Sequence, residues 1–516
     1  MSAILISPTR SLEEPKPTDI DLVVDINDFG PVSKGRVRLR PLTVFVGPNN
    51  SGKSYVAMFV HSLLRSLGVG ARPHRRFSPS FPGELLIRPL LIKDFTEQVQ
   101  DIARLQEGQS ITIPASSVQK ITAAILDYLC GKRLTEELIG SFACPIKQLV
   151  RVGQEKFSFR VNLSGSEWLV SSLKTKVRVE DYPKHDMTVR VQVRPQTLRS
   201  RMLGERPLEV REEPGEIIIQ ARFRKDREVA EDLFGEIVSA IANRLLRGMV
   251  RRSHYLPAAR SGILQGHKAL AASIVDASRF VGLRKFEVPP FSGVVAEFLS
   301  SVLRLQGEKG HYYKLAREFE KELVDGEILL KSVDKYGYPE IKYRFGRREI
   351  PLQRSSSTVS ELAPFIMMLK FQLRPGSLVI IEEPEAHLHP KNQVILARYL
   401  TRLVREQVRI FITTHSEFLL GQLSSFMLLS QLRSKGIESD SAQKTEDYLL
   451  KDEIGAYVFS KDETRGGYRI DELEVTEEEG ISEEEFVKVH DALYEESIRL
   501  KRLLRPRPED ASTTKD

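Results

Sequence analysis

A glycine-rich loop close to the start of the printed sequence constrains the fold more than any other stretch. Residues 47–54 are Gly-Pro-Asn-Asn-Ser-Gly-Lys-Ser, and they follow the apolar run 42–46. This Gly-x-x-x-x-Gly-Lys-Ser spacing is typical of a phosphate-binding loop, because glycine permits a tight turn and successive backbone amides then surround an anion at a helix start. The alternative is a glycine turn that matches this spacing by chance. Motifs elsewhere in the chain distinguish between these two interpretations.

The loop is followed by the helix that a phosphate-binding loop requires. After Lys53, apolar residues recur at helical spacing: Val56, Phe59, Val60, Leu63, Leu64 and Leu67. In this pattern the lysine ammonium reaches the β- and γ-phosphates, and the serine hydroxyl binds Mg²⁺. The predicted nucleotide-binding residues are Gly47, Pro48, Asn49, Asn50, Ser51, Gly52, Lys53, Ser54 and Tyr55.

Composition limits the cellular compartment and the partners that we expect for this protein. The chain has 516 residues and a net charge of +7, which permits contact with DNA or RNA without requiring it. Its two cysteines, Cys130 and Cys144, favour a reducing compartment and two free thiols rather than a disulfide. No stretch approaches the ~20 apolar residues of a membrane span, and residues 1–18 lack the apolar core of a signal peptide. We therefore expect a cytoplasmic protein with no membrane partner.

The region between the loop and residue 339 is the least informative. Short period-2 runs predict a small antiparallel sheet inserted between helices, with strands at 157–161, 168–170, 177–179, 187–193 and 217–223. Basic side chains alternate on these runs, among them Lys174, Lys176 and Arg178. Such residues are typical of the solvated face of a sheet. A nucleic-acid surface is the other interpretation that stays open.

A second group of motifs begins with an acidic strand end. Residues 377–381 are a buried-strand run that leads into Glu382, Glu383, Pro384 and Glu385. Because side chains alternate along a strand, Glu382 and Glu383 face opposite sides. One carboxylate can then hold the magnesium shell while the other orients an attacking water, which is the division of labour that phosphate hydrolysis needs. A solvated strand end is the alternative.

Two further features flank that strand. Ser356 stands in a hydroxyl-rich stretch just ahead of an apolar helix, where it can either cap the helix or hold an anion at its N-terminus. His415 follows the apolar run 408–413, and at a strand end it can reach a terminal phosphate or serve as a turn histidine. His387 and His389 suggest a metal site only weakly, because no third ligand is nearby, and a loop is the preferred interpretation.

Taken together, these motifs resemble the ABC-like AAA ATPases, in the branch related to the RecF, SMC and OLD-type proteins. The stretches that carry the resemblance are 47–54, the Ile-Glu-Glu-Pro-Glu-Ala-His-Leu-His-Pro of 381–390 and the Ile-Thr-Thr-His-Ser of 412–416. It covers about residues 20–65, 250–265 and 340–500. The implied fold class is α/β, a P-loop NTPase with an ABC-type head, an N-terminal antiparallel β-hairpin and a large inserted α+β region.

The resemblance also implies a division into segments. We expect a flexible leader at 1–18, a C-terminal helix at 471–504 and a disordered tail at 505–516. The ATPase head would comprise 19–67 and 340–470. The inserted, mainly helical region with its small sheet would fill 68–339.

Residue roles follow from the same resemblance, one position at a time. Lys53 would bind phosphate, and Ser54 would bind Mg²⁺. Glu382 takes the place of the Walker B aspartate, a Mg²⁺-shell role, and Glu383 that of the catalytic base. His415 would sense the γ-phosphate. The implied cofactors are ATP and Mg²⁺.

The signature segment departs from the family pattern. Ser356 lies where the signature serine is found, a residue that in relatives crosses to a second subunit and completes its site. The glycines expected after it are replaced by Ser357 and Thr358. Engagement of a second copy would then rest on hydroxyls and the helix dipole alone.

The expected function is that of an ATPase that dimerises through ATP, or forms a higher homo-oligomer, and couples this to a nucleic-acid or effector partner. A role in prokaryotic antiviral defence or DNA maintenance is implied by the resemblance alone. No acidic cluster of the Toprim nuclease type follows the ATPase motifs, so any cutting would be done by a separate effector or nuclease protein. The alternatives are an ATP-clamped scaffold with little turnover and, more remotely, a transport ATPase.

Overall fold

The computed structural model describes residues 21–68, 95–193, 208–221, 227–246, 249, 252–266, 292–331, 340–435, 447–476, 478–482 and 484–503. The predicted leader 1–18 and tail 505–516 lie outside these residues. The described strands are β1 Leu22–Phe29, β2 Val32–Arg38, β3 Leu42–Val46, β4 Ser110–Ile113, β5 Ser158–Leu163, β6 Ser166–Leu173, β7 Lys176–Asp181, β8 Thr188–Val193, β9 Leu208–Glu213, β10 Glu216–Ala221, β11 Arg252–Leu256, β12 Glu327–Lys331, β13 Glu340–Phe345, β14 Arg348–Pro351, β15 Ser377–Glu382, β16 Arg409–Thr413, β17 Ile454–Lys461, β18 Tyr468–Glu472, β19 Val475–Thr476 and β20 Gly480–Ile481.

The described helices are α1 Lys53–Leu67, α2 Thr96–Arg104, α3 Ala115–Leu126, α4 Leu134–Phe142, α5 Arg227–Leu245, α6 Gly293–Leu303, α7 Tyr313–Leu323, α8 Ser357–Phe371, α9 Pro390–Arg405, α10 Glu417–Ser434 and α11 Glu484–Leu503. A π-helical segment, Asp127–Arg133, joins α3 to α4. No described helix has both the length and the apolar character needed to cross a lipid bilayer.

One large sheet organises the described residues. Its eleven strands run in the order β11-β15-β16-β3-β17-β18-β2-β1-β5-β6-β7. The first five pair in parallel, whereas the hairpin β1–β2 and the strands β5–β7 pair antiparallel. The structure is therefore the expected α/β head, with an N-terminal antiparallel hairpin that feeds directly into the P-loop strand.

The small inserted sheet is not the single antiparallel sheet that the sequence predicts, and that prediction is wrong. Strand β5 pairs with β1, so that β5, β6 and β7 extend the sheet of the head. Strand β8 instead joins a four-stranded sheet, β4-β8-β10-β9, in which β8 and β10 are parallel. Period-2 runs identify strands but do not specify partners, which is why the pattern missed this division.

Two apolar cores cover the two faces of the sheet. On β3, Phe45 faces a core with α1, whereas Leu42 and Val44 face a core that contains residues of α8, α9 and α10. Strands β15 and β16 are buried at every position, as expected for parallel strands covered on both faces. The edge of the sheet at which these strands end is thus held rigidly from both sides.

The C-terminal helix α11 begins at Glu484 and not at 471, because the end of β18 and the strands β19 and β20 occupy the start of the predicted range 471–504. The spacing of Phe486, Val489, Leu493 and Leu500 predicts a buried face on this helix. Leu493 and Leu500 are instead 64% and 51% exposed, and the side chains of Phe486 and Val489 lie outside the described ones. The boundaries of the head and of the inserted region stay predictions, and β5–β7 and β11 from within 68–339 contribute strands to the head sheet.

Candidate nucleotide-binding site

Three neighbouring strands bring the two groups of motifs to one edge of the sheet. In the parallel pairings Glu382 of β15 lies opposite Thr413 of β16, and Thr413 lies opposite Phe45 of β3. The ladder continues past the strand ends, because the Glu383 amide donates to Thr413 O at 2.9 Å and the Thr414 amide donates to Phe45 O at 2.9 Å. The P-loop, the acidic turn and the loop that holds His415 therefore begin side by side, at the carboxyl ends of parallel strands where ligands bind in α/β proteins.

The P-loop has the backbone that its glycines permit. Gly47 has a φ of 136°, and a Cβ built there would lie 2.7 Å from the carbonyl oxygen of Phe459. Gly52 has a φ of 103° and caps the N-terminus of α1, where a Cβ would meet Pro31 at 2.8 Å. Asn50 also adopts positive φ, at 60°. The loop is thus wrapped tightly against the β1–β2 turn and β17, with space for glycine only at both ends.

Lys53 is 7% exposed and folds back over the loop. Its ammonium donates to the carbonyl oxygens of Gly47 at 2.9 Å and Pro48 at 2.7 Å. Burial lowers the Lys53 pKa to about 8, and the charges of Glu383 and Glu385 oppose that shift. The Lys53 ammonium therefore lies next to the acidic turn, and its desolvation makes it easier to deprotonate than an ordinary lysine.

The serines of the loop differ in exposure. The Ser51 hydroxyl is buried and has no hydrogen-bond partner among the described residues. Ser54, at the second position of α1, is exposed. Tyr55 packs its ring against Phe29 and Phe142, at centroid distances of 6.1 and 5.0 Å. The tyrosine side chain is thus turned toward the β1–β2 hairpin and α4.

Glu382 is 8% exposed, and its two carboxylate oxygens accept hydrogen bonds from β11 and from the segment that follows it. The Tyr255 hydroxyl donates to Oε1, and the Ala258 amide donates to Oε2 at 3.0 Å. Burial is the main cause that raises the Tyr255 pKa well above its ordinary value, followed by the charge of Glu382. The tyrosine therefore stays a protonated donor that fixes this carboxylate.

Glu383 leaves the strand in a strained conformation. Its φ is 43°, in the left-handed region that non-glycine residues seldom occupy. The side chain is partly exposed, in contrast to its buried neighbour. Strand β15 ends at Glu382, so the backbone changes direction between the two carboxylates.

Glu385 links the acidic turn to the loop after β16. Its Oε1 accepts from the Thr414 hydroxyl and from the His415 amide, both at 2.8 Å, whereas its Oε2 is buried without a partner. Burial raises the pKa of Glu385, and the nearby Glu383 adds to the rise. For His415, burial lowers the pKa and the Lys53 charge lowers it further. His415 is therefore a neutral imidazole at pH 7, close to both Lys53 and Glu383.

Ser356 caps helix α8, since its Oγ accepts from the Val359 amide at 3.3 Å. Its side chain is exposed. Thr358 donates from Oγ1 to the carbonyl oxygen of His387 at 2.9 Å, which attaches the start of α8 to the loop after the acidic turn. His389 caps α9 by accepting from the Lys391 amide at 3.2 Å. The capping interpretation of Ser356 therefore has its geometry in the structure, and His389 has a capping role that the sequence analysis did not predict.

The donor set fits a magnesium-bound triphosphate. Among the described residues, a serine hydroxyl without a partner, an ammonium that donates to two carbonyls of its own loop and a carboxylate oxygen without a partner lie at one edge of the sheet. Phosphate oxygens would accept from the first two, and the hydroxyl of Ser54 is a hard oxygen ligand of the kind that Mg²⁺ prefers.

Three side chains that contact the acidic turn or the loop after β16 were not among the site residues predicted from the sequence: Tyr255, Arg260 and Glu385. Glu385 had a signal, since it stands two residues after the Glu-Glu pair. Tyr255 and Arg260 lie in a compact strand and turn whose sequence pattern carries no chemistry of its own. Their contacts are with residues more than a hundred positions away, so spacing along the chain does not reveal them.

One comparison with known proteins finds a match within the segment that carries the second group of motifs. A family model described as AAA ATPase domain matches residues 295–420, a segment that contains Ser356, the Glu382–Glu383 turn and His415. The P-loop lies outside the matched segment and is brought to it by the sheet. The chain is an ATPase, a P-loop NTP hydrolase.

Among solved structures, the chain is similar to several SMC heads, each at 12% identity. The SMC head domain from Thermotoga maritima aligns with a TM-score of 0.32 over 89% of this chain and 100% of that one. The SmcHead bound to the C-winged helix domain of ScpA gives 0.34, over 88% and 98%. The Smc head domain with an extended coiled coil, bound to the C-terminal domain of ScpA derived from Pyrococcus furiosus, gives 0.34 over 92% and 100%. No curated protein matches the chain.

Proposed function

We propose that this ATPase binds MgATP at the P-loop edge and that two copies close around the nucleotide to drive a separate partner. Lys53 and the P-loop amides bind the phosphates, and Ser54 and Glu382 hold the Mg²⁺ shell. Glu383 orients and deprotonates the attacking water, and His415 contacts the γ-phosphate. When bound, Mg²⁺ neutralises charge on the β- and γ-phosphates.

The observation that carries this proposal is the register of β15, β16 and β3. This register places Glu382, Thr413 and Phe45 side by side. The acidic turn, the loop that holds His415 and the P-loop therefore begin at the same edge of the sheet. A solvated strand end would not place a buried carboxylate, a half-buried one and an imidazole beside a desolvated lysine. The two carboxylates also differ in environment as their two tasks require, because Glu382 is buried and held by two donors and Glu383 is partly exposed.

Closure of two copies is supported by the start of α8. Ser356 and Ser357 are exposed at a helix N-terminus, where the helix dipole and free amides favour an anion. In the proposed dimer this start contacts the γ-phosphate that is bound to the other copy. Each site is then completed by a second copy, so hydrolysis depends on protein concentration.

The proposed partner is a separate effector protein or a nucleic acid, in a defence or DNA-maintenance setting. Lys174, Lys176 and Arg178 are exposed at the β6–β7 hairpin and offer a basic surface. ATPase rates with duplex DNA, single-stranded DNA and RNA test this surface, with binding measured over a salt series. If no nucleic acid stimulates the rate or binds in a salt-dependent way, the partner is an effector protein alone.

Glu383→Gln tests the site. We expect kcat to fall by at least about 100-fold, because a general base contributes that much or more. ATP should still bind, and gel filtration should show an ATP-dependent dimer. The matched control is Glu136→Gln, an exposed glutamate on α4, which should hydrolyse ATP at the wild-type rate. A Glu383→Gln protein with wild-type turnover would remove Glu383 from the role of base.

An ATP-clamped scaffold with little turnover is the second candidate. Two hydroxyls of the signature segment are engaged within the same chain. Ser356, at the place of the signature serine, caps a helix, and Thr358, which replaces a glycine, donates to the carbonyl of His387. Local engagement of this kind reduces what these groups can offer a second copy. Turnover and dimer lifetime measured in one wild-type sample separate the two functions, since the scaffold predicts stable dimers that outlast many minutes without phosphate release.

A further inference from the structure

Arg260 lies at the centre of a buried junction behind the acidic turn. It is 2% exposed, and its guanidinium donates to the carbonyl oxygens of Glu382 at 2.7 Å and Glu383 at 3.3 Å. A third bond reaches the carbonyl oxygen of Pro257 at 3.2 Å. The side chain therefore grips the backbone of the turn that carries both carboxylates, without using either carboxylate.

Glu361 connects this junction to helix α8. It is 1% exposed, and its Oε1 lies 3.0 Å from Nε of Arg260 in an ion pair. Its carboxylate also accepts from the backbone amides of Arg260 and Ser261, each at 3.0 Å. Glu361 stands five residues after Ser356, so the start of α8 and the acidic turn share one buried charge pair.

A purely stabilising role does not explain this arrangement well. Buried ion pairs can often be replaced by apolar side chains of similar volume without loss of stability. What a guanidinium adds is a rigid fork of donors that fixes the direction of several acceptors at once. Here the acceptors include the carbonyl of Glu383, whose left-handed backbone at a φ of 43° persists only if its surroundings hold it.

A second bond ties the same two segments together. The Thr358 hydroxyl, at the first turn of α8, donates to the carbonyl of His387 in the loop that follows the acidic turn. Movement of the start of α8 would therefore act on this turn from both sides, through Arg260 beneath it and through His387 after it.

We propose that Arg260 is a positioning residue that, together with Glu361, makes the orientation of Glu383 depend on the position of the start of helix α8. The inference rests on the proposed function, in which that helix start contacts nucleotide bound to a second copy. Closure of the dimer then sets the geometry of the base, and the open monomer holds it in a less productive one. In this proposal, the rate of ATP hydrolysis depends directly on dimer formation.

The test replaces the pair by apolar residues, Arg260→Met with Glu361→Leu, so that no unpaired charge is left in the interior. We expect a lower melting temperature, because the amides of Arg260 and Ser261 lose their carboxylate acceptor, and a Kd for ATP close to wild type. We expect kcat to fall about 100-fold with KM little changed, because small displacements of a reacting group have effects of that size. The matched control is Arg402→Met with Asp447→Leu, a buried pair at 2.6 and 3.0 Å that joins α9 to the segment before β17.

Only the control double variant should keep wild-type kcat. If the Arg260 double variant also keeps it, Arg260 has a structural role and the inference is overturned. Should that variant fail to fold, Arg260→Lys carries the test, since it keeps the charge but loses the fork; a wild-type kcat in Arg260→Lys overturns the inference equally. The specific activity of the wild-type protein is measured over a concentration series. A flat dependence overturns the proposed closure itself, whereas a rising one with an unaffected Arg260 variant overturns only the role of Arg260.

Discussion

The pKa of Lys53 makes nucleotide binding depend on pH in a defined direction. Burial lowers this pKa to about 8 in the nucleotide-free protein. A bound triphosphate places negative charge beside the ammonium and so raises the pKa of the complex. Since the complex has the higher pKa, nucleotide binding takes up a proton above pH 8, and affinity falls as pH rises through that value.

The size of the effect follows from the fraction of free protein that carries a protonated lysine. With a pKa of about 8, that fraction falls from about 0.76 at pH 7.5 to about 0.09 at pH 9, provided that the lysine of the complex stays protonated. Affinity for the triphosphate should therefore drop about eightfold between these two pH values, or about 1.2 kcal/mol. An ordinary lysine with a pKa near 10.4 would change affinity by only about 4% over the same range.

Isothermal titration calorimetry with a non-hydrolysable ATP analogue measures both quantities. Titrations at pH 9 in two buffers of different ionisation enthalpy should give an uptake of close to one proton, and at pH 7.5 an uptake of about a quarter of one. Lys53→Arg is the matched control, because arginine stays protonated throughout and should abolish the dependence. An equal Kd at both pH values, with no proton uptake at pH 9, would refute the assignment of a desolvated lysine at the phosphate site.

Three other substitutions probe the parts of the molecule that hold the site. Gly47→Ala forces a Cβ to within 2.7 Å of the Phe459 carbonyl oxygen at a φ of 136°, and we expect a loss of about 1–3 kcal/mol in urea unfolding; a variant as stable as wild type would show that the loop is not held tightly. Arg402→Ala removes the guanidinium that holds both oxygens of the buried Asp447 and leaves that carboxylate with the more distant Arg398, at 3.8 Å, so it should cost about 3 kcal/mol by the same assay; wild-type stability would show that Arg398 is sufficient. Glu385→Ala removes the acceptor of two donors in the loop after β16, and kcat should fall at least about tenfold while the Kd for ATP changes little; equal kcat values would separate that loop from catalysis.

The sequence was informative where chemistry depends on spacing. The Gly-x-x-x-x-Gly-Lys-Ser spacing predicted a strand, a loop and a helix, and the structure has β3, the loop and α1 in that order. The buried run before Glu382 predicted a central strand, and β15 is buried throughout. These predictions succeed because a parallel strand buried on both faces and a phosphate loop each need a particular residue at nearly every position.

The sequence was uninformative where partners are distant or are backbone groups. Strand β5 has the same alternating pattern whether it pairs within an insertion or with β1, so the extension of the head sheet could not be predicted. The apolar spacing of α11 predicted a buried face, yet Leu493 and Leu500 are exposed, because amphipathicity shows which side of a helix is apolar and not whether anything covers it.

The contacts of Arg260 show why a residue that positions the acidic turn is harder to predict from the sequence than a residue that binds phosphate. Three of its hydrogen-bond acceptors are the carbonyl oxygens of Pro257, Glu382 and Glu383, and a carbonyl oxygen belongs to every residue type. No pattern of side chains along the chain can therefore mark such a contact in advance. The phosphate-binding loop is recognisable from eight consecutive residues because its chemistry is local. The link from the start of α8 to Glu383 exists only after β11 and β15 have paired in parallel, which sets the segment after β11 beneath the acidic turn. In the proposed coupling, hydrolysis therefore depends on strand register, and we expect substitutions that disturb β11 to impair turnover even though they touch no group that binds nucleotide.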